Sequence, residues 1–147
     1  ISTTHGAEMC GLGAFVKTIE VYKERKVIDH LWQYGRKLID GINSISESLG
    51  IIDYFYVEGY SCSPTYVTKD QEGVISMEFR TLFSQEMVNN GVLMPWIALS
   101  YSHGNKELKI TFDAVEKSLM IYKKALENGY NNYLNSEVIK PVFRKYN

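Results

Sequence analysis

Apolar residues at helical spacing mark four stretches of the chain. Between about Ala7 and Arg25, Leu12, Phe15, Val16, Ile19 and Tyr22 recur at three- and four-residue intervals and predict a helix with one apolar face. A second helix is predicted from about Val27 to Leu49 on the stripe Ile28, Leu31, Leu38, Ile42, Ile45 and Leu49. Gly50 stands where a helix end favours glycine. Trp32 and Tyr34 fall off that stripe and mark a second contact surface. A third helix covers about Ile75 to Asn90, with Phe79, Leu82, Phe83 and Met87 inward and Gly91 as its stop. The fourth starts near Asn105, carries Leu108, Phe112, Val115, Leu119, Tyr122 and Leu126, and ends at Gly129.

Between the helices the pattern changes to strand language. Asp53-Tyr54-Phe55-Tyr56-Val57 is aromatic and β-branched, and Ser63 to Thr68 is a second strand with Pro64 at its edge or start. Val92-Leu93-Met94 is short, Pro95 interrupts it, and Trp96 to Tyr101 resumes as a third strand. The tail from Tyr130 to Asn147 reads as a short helix followed by an extended segment. The order α-α-β-β-α-β-α predicts an α+β domain, its helices packed on a small, mostly antiparallel sheet. The first helix differs from the others. Gly6, Ala7, Cys10, Gly11, Gly13 and Ala14 crowd its beginning, and each interior glycine costs ~1 kcal/mol against alanine. Close approach of another backbone would compensate, so this helix is expected to lie against something outside the domain.

Composition narrows the function. Sixteen Lys and Arg against seventeen Asp and Glu leave a net charge of −1, without the basic excess of a nucleic-acid-binding domain. Apolar residues at 45% and charged residues at 22% are values of a folded chain. No apolar run approaches the ~20 residues of a membrane span. Cys10 and Cys62 make neither a disulfide framework nor a metal set, which suits reduced thiols and a cytoplasmic protein. The chain starts at Ile1 without an initiator Met or a signal pattern, as a processed protein or the C-terminal piece of a longer one would.

The chemistry-bearing residues are sparse. His5, His30 and His103 stand far apart, and no His-x-x-x-His, Cys-x-x-Cys or carboxylate cluster offers a metal site. Ser102-His103-Gly104 reads as a turn before the fourth helix, His30 as a surface or satisfied core residue, and Cys10 as a small buried hydrophobe. The chain by itself does not read as an enzyme. Gly6, Gly11 and Gly13 match neither a dinucleotide fingerprint nor a P-loop. Ser2-Thr3-Thr4-His5-Gly6 runs directly into a helix, where hydroxyls and free N–H groups suit a phosphate. An ordinary N-cap by Thr3 or Thr4 is the alternative.

Those residues also carry a resemblance. Ser2-Thr3-Thr4-His5-Gly6-Ala7-Glu8 with its small-residue helix resembles the segment that follows the Schiff-base lysine in class III pyridoxal-phosphate aminotransferases, most of all the glutamate-1-semialdehyde 2,1-aminomutase group. Val57-Glu58-Gly59, Asn90-Gly91-Val92, Ala98 to His103 and the ending Lys140 to Asn147 agree in order. Asn-Pro is frequent in that family where Ala7-Glu8 stand here, and Gly where Ser2 stands.

The resemblance implies the C-terminal part of a fold-type I enzyme. Residues 1–26 would end the large-domain segment and form a long linking helix, and residues 27–147 would be the small C-terminal domain. Ser2 and Thr3 would bind the phosphate of pyridoxal 5′-phosphate in the neighbouring subunit of a homodimer, with Thr4 as the fallback for Thr3. The intact enzyme would move an amino group from a small-molecule donor to a carbonyl acceptor, or within one compound such as an amino-acid semialdehyde. The lysine, the Asp of the pyridine nitrogen and the stacking aromatic lie upstream in the family, so the fragment is expected to be inactive and to bind the cofactor weakly or not at all. Three rival readings are a free-standing, non-catalytic α+β interaction domain, a sensor of another phosphate ligand, and an aminotransferase acting on a nucleotide-linked keto sugar.

Overall fold

A computed structural model of the chain describes residues 8–140. In chain order these form α1 (Met9–Glu24), α2 (Val27–Ser48), β1 (Phe55–Tyr60), β2 (Ser63–Thr68), α3 (Met77–Asn89) and α4 (Asn105–Asn128), followed by a single 3-10 turn at Tyr130–Asn132. The architecture is the expected small α+β domain, with helices on an antiparallel sheet. Among the described residues that sheet has two strands, in register from Phe55 opposite Thr68 to Tyr60 opposite Ser63.

The core forms where one face of the hairpin meets three helices. Phe55, Val57 and Tyr66 from the sheet pack with Leu38 and Ile42 of α2, Phe79, Leu82, Phe83 and Met87 of α3, and Val115, Leu119 and Tyr122 of α4. Phe55 is central, its ring 4.6 Å from Phe83, 5.7 Å from Tyr122 and 6.1 Å from Tyr66. The Tyr122 hydroxyl enters this core because it has partners there. It accepts from the Lys69 N–H at 2.9 Å and lies 2.6 Å from the Lys69 carbonyl, to which it donates. Burial pushes its pKa upward.

A two-stranded sheet has two open edges, and α2 closes one of them with side chains. The amide of Asn43 accepts from Val57 N–H at 2.7 Å and donates to the Val57 carbonyl at 2.9 Å. One turn further on, the Ser46 hydroxyl donates to the Phe55 carbonyl at 2.6 Å. Gly35 lets α2 approach the hairpin tip, since a Cβ there would overlap the Ser61 carbonyl oxygen. Strand β1 starts two residues after the expected position because Tyr54 and Phe55 both donate to the Ile51 carbonyl, which turns the chain out of α2 first.

The third strand expected over 96–101 is not formed. A strand needs a partner edge, and the Thr68 carbonyl on the outer side of β2 already accepts from Ser76. The segment is held instead by Met94 and Ile97, which are buried, and by the Pro95 carbonyl. That carbonyl accepts from Tyr66 at 2.7 Å and from Arg80 at 3.1 Å. The N–H groups of Leu93, Met94, Trp96, Ile97, Ala98 and Leu99 have no acceptor among the described residues.

Helix α1 buries none of its residues, and Leu12, Phe15, Val16, Ile19 and Tyr22 are all exposed. Cys10 is exposed too, a correction to its reading as a small buried hydrophobe. The physical reason is that α1 meets only the start of α2, turning into it through Lys26 in the left-handed region at φ 50°. The same geometry leaves Ile28 on the predicted stripe of α2 exposed, while Tyr34 off that stripe is buried.

Candidate functional site

Where α2 and α4 diverge, the irregular segment between α3 and α4 lies across them and leaves a cleft of about 300 Å³. Tyr34 and Leu38 of α2, residues 91–94 and 96–99 of the segment, and His103, Glu107, Ile110 and Thr111 around the start of α4 line it. Each polar group is positioned by local chemistry. Glu107 sits three residues after Gly104, and its carboxylate accepts from the Gly104 N–H at 2.8 Å, satisfying a donor at the helix start. That bond holds the Glu107 carboxyl below the usual carboxylate range. Ser100 to His103 is a turn, starting two residues before the Ser102-to-Gly104 turn that the sequence predicts and closed by His103 N–H donating to the Ser100 carbonyl at 3.1 Å. His103 Nδ1 accepts from Ser100 N–H at 3.3 Å, so the neutral ring carries its proton on Nε2.

His30 ties this turn to α2. Its Nε2 donates to the His103 carbonyl at 3.1 Å, and its ring lies 5.1 Å from Tyr101 and 5.9 Å from Tyr34. His30 is thus a satisfied, half-buried residue. Tyr34 also packs against the His103 ring at 5.8 Å. Burial, reinforced by the negative charge of Glu107, raises the Tyr34 pKa and keeps its hydroxyl protonated.

Ser2 and Thr3, assigned to a cofactor phosphate, lie outside the described residues, as do Thr4, His5 and Gly6. The cleft does not substitute for them. No Lys or Arg lines it, and a charged Glu107 repels a phosphate, so its donor set does not fit pyridoxal phosphate. Among the described residues no group of His, Cys, Asp and Glu is arranged to hold a metal ion, and no helix is long and apolar enough to cross a membrane. Sequence reasoning missed Tyr34, Glu107 and Trp96 as members of one site. The Gly104-to-Glu107 spacing was a legible helix-start signal, whereas their convergence with Tyr34 is tertiary.

Fold and site define a small α+β domain with a cleft between α2 and α4 and a first helix whose apolar face is exposed. Over 129 residues the chain is 26% identical to the 3-aminobutyryl-CoA aminotransferase of Cloacimonas acidaminovorans (strain Evry). The match covers 86% of this chain and 31% of that relative, so the chain spans less than half of the aminotransferase it resembles. No family model and no solved structure matches the chain. The similarity supports a relationship to aminotransferases, and it does not extend to the narrower glutamate-1-semialdehyde group.

Proposed function

We propose that this chain is the C-terminal segment of a pyridoxal-phosphate-dependent aminotransferase or aminomutase that moves an amino group to or within a small carbonyl compound. The observation that carries this reading is the 129-residue similarity to an enzyme named as an aminotransferase. The uncovered apolar face of α1 supports it, because such a face suits a helix that links this domain to a larger body. Residues 1–26 are then the end of the large-domain segment with the linking helix, and residues 27–147 the small domain.

In the intact protein, a homodimer in the cytoplasm, the Thr3 hydroxyl and the Ser2 N–H hold the phosphate of the neighbouring subunit's cofactor. The bound cofactor supplies an electron sink for the amino-bearing carbon. This chain's own share is to hold the phosphate and close one side of the substrate cleft. An amino-acid semialdehyde is the substrate implied by the resemblance, and the relative's name points to β-amino acyl thioesters as a second choice within the same chemistry.

The test is to isolate the native polypeptide that contains this chain, measure its pyridoxal phosphate content, reduce it with borohydride and map the labelled peptide. The expected result is one cofactor per polypeptide, attached to a lysine upstream of Ile1. A native polypeptide without cofactor would overturn the reading and leave a non-catalytic interaction domain. In the same protein Thr3→Val is expected to weaken cofactor binding by about tenfold or more, the loss of a hydrogen bond to a charged group. Unchanged affinity in a direct titration would remove Thr3 from the phosphate site.

A further inference from the structure

The cleft between α2 and α4 contains a polar group that the fold does not use. Tyr34 is only 8% exposed, yet its hydroxyl has no hydrogen-bond partner among the described residues. The oxygen is not sealed away, since no fully buried side-chain oxygen or nitrogen is left unpaired. It belongs to a side chain lining the cleft, with its ring wedged between those of His30 and His103. Buried hydroxyls are ordinarily paired, so an unpaired one on a side chain that lines a cavity and is held by two ring contacts suits a ligand.

The second element is charge. Glu107 lines the same cleft and spends one carboxylate oxygen on Gly104 N–H, which leaves the other as an acceptor. No Lys or Arg among the lining residues neutralises it. Besides His103, Thr111 and the backbone of residues 91–94 and 96–99, the lining is apolar, with Leu38 and Ile97 buried and Trp96 and Ile110 exposed. A volume of about 300 Å³ is at the small end of cavities that take organic ligands.

We infer that this cleft binds a small apolar amine, its ammonium group donating to the Glu107 carboxylate and the Tyr34 hydroxyl oxygen, and its body lying against Leu38, Ile97, Ile110 and Trp96. An ammonium has three donors and no acceptor, which suits two acceptors, the Glu107 carboxylate and the Tyr34 hydroxyl oxygen, on side chains that line one cleft. A carboxylate or phosphate ligand would face the Glu107 charge in a cleft that no Lys or Arg lines, with Lys106 and His103 acting on that charge from beside it. The inference does not depend on the aminotransferase reading, because none of these residues is assigned to the cofactor.

The test is a calorimetric titration with 2-phenylethylamine, paired with its charge-reversed analogue 3-phenylpropionate. Saturable binding of the amine and none of the carboxylate is expected. Glu107→Gln keeps an acceptor for Gly104 N–H while removing the charge, and is expected to weaken the amine at least tenfold; Tyr34→Phe is expected to weaken it several-fold. Equal binding of the two probes, or unchanged affinity in Glu107→Gln, would overturn the inference. A measurement on the unmodified chain guards against misfolded variants. The indole N–H resonance of Trp96 should shift on adding the amine while that of Trp32 stays in place, and an unmoved Trp96 would also overturn the inference. Cofactor content should be the same in wild type and Glu107→Gln, so failure here leaves the cofactor reading standing and the reverse is equally separable.

Discussion

Asn43→Ala tests whether helix α2 completes the sheet. In the native chain the outward N–H and C=O of Val57, a residue 3% exposed, are both bonded to the Asn43 amide at 2.7 and 2.9 Å. Removing the amide strands two backbone groups at a strand edge that no other strand covers among the described residues. Each buried group left unpaired costs about 1–3 kcal/mol. Asn43 itself is half-exposed, so water recovers part of the loss and roughly 2–4 kcal/mol remains. That is a large share of the ~5–15 kcal/mol that holds a domain folded. Urea unfolding followed by far-UV circular dichroism measures it. With a slope of about 2 kcal/mol per molar, the middle of the usual range, the midpoint should fall by roughly 1–2 M while the slope is unchanged. Asn43→Asp keeps the acceptor for Val57 N–H but sets an oxygen against the Val57 carbonyl, and should unfold at a midpoint below wild type. A midpoint shift under about 0.3 M for Asn43→Ala would show that β1 needs no helix side chain on its outer edge.

Two further perturbations read other parts of the fold. Gly35→Ala drives a Cβ into the Ser61 carbonyl and to 2.8 Å from Leu99 Cδ1, so backbone has to move; the expected loss exceeds the ~1–3 kcal/mol of ordinary overpacking, and a melting temperature equal to wild type would refute the close approach. Glu78 should make stability fall in acid, because a hydrogen bond from Ser76, 2.7 Å long, holds its carboxyl below the usual range. A group with a depressed folded pKa stabilises above its unfolded value, ~4.3, and that contribution fades as pH drops through the folded value. Urea midpoints measured from pH 6 to pH 2 should therefore fall less steeply for Glu78→Gln than for wild type, and parallel curves would refute the assignment.

The helices were legible because each is long enough for its apolar period to outvote local noise. The α4 stripe Val115, Leu119 and Tyr122 is fully buried as its spacing requires, and the end at Gly129 follows from an end signal in the sequence, while the N-cap is Gly104, one residue before the expected start at Asn105. Strand β2 was legible over its whole length. The segment from Trp96 to Tyr101 has strand composition and no strand, since pairing is a property of two segments and only one can be read locally. The cleft was illegible for the same reason. Tyr34 was legible as part of a second contact surface, but what it contacts, His103 and Glu107, lies about 70 positions away along the chain.

The glycines of α1 join the sequence argument to the functional one. Gly11 and Gly13 each weaken the helix by ~1 kcal/mol relative to alanine. Among the described residues nothing lies within 4 Å of a Cβ built at either position, so the domain gives no packing reason for them. If the reason lies in the rest of a longer polypeptide, the same substitution must act in opposite directions in two settings. In the isolated 147-residue chain Gly11→Ala should raise the helical signal of α1 and leave the core transition unchanged. In the native polypeptide it should lower the melting temperature or weaken subunit association, because a methyl group would intrude on a close backbone contact. Thermal unfolding and sedimentation of both forms decide it. Stabilisation in both would mean that α1 is solvated in the native protein as well, and would favour the free-standing interaction domain over the linking helix of an aminotransferase.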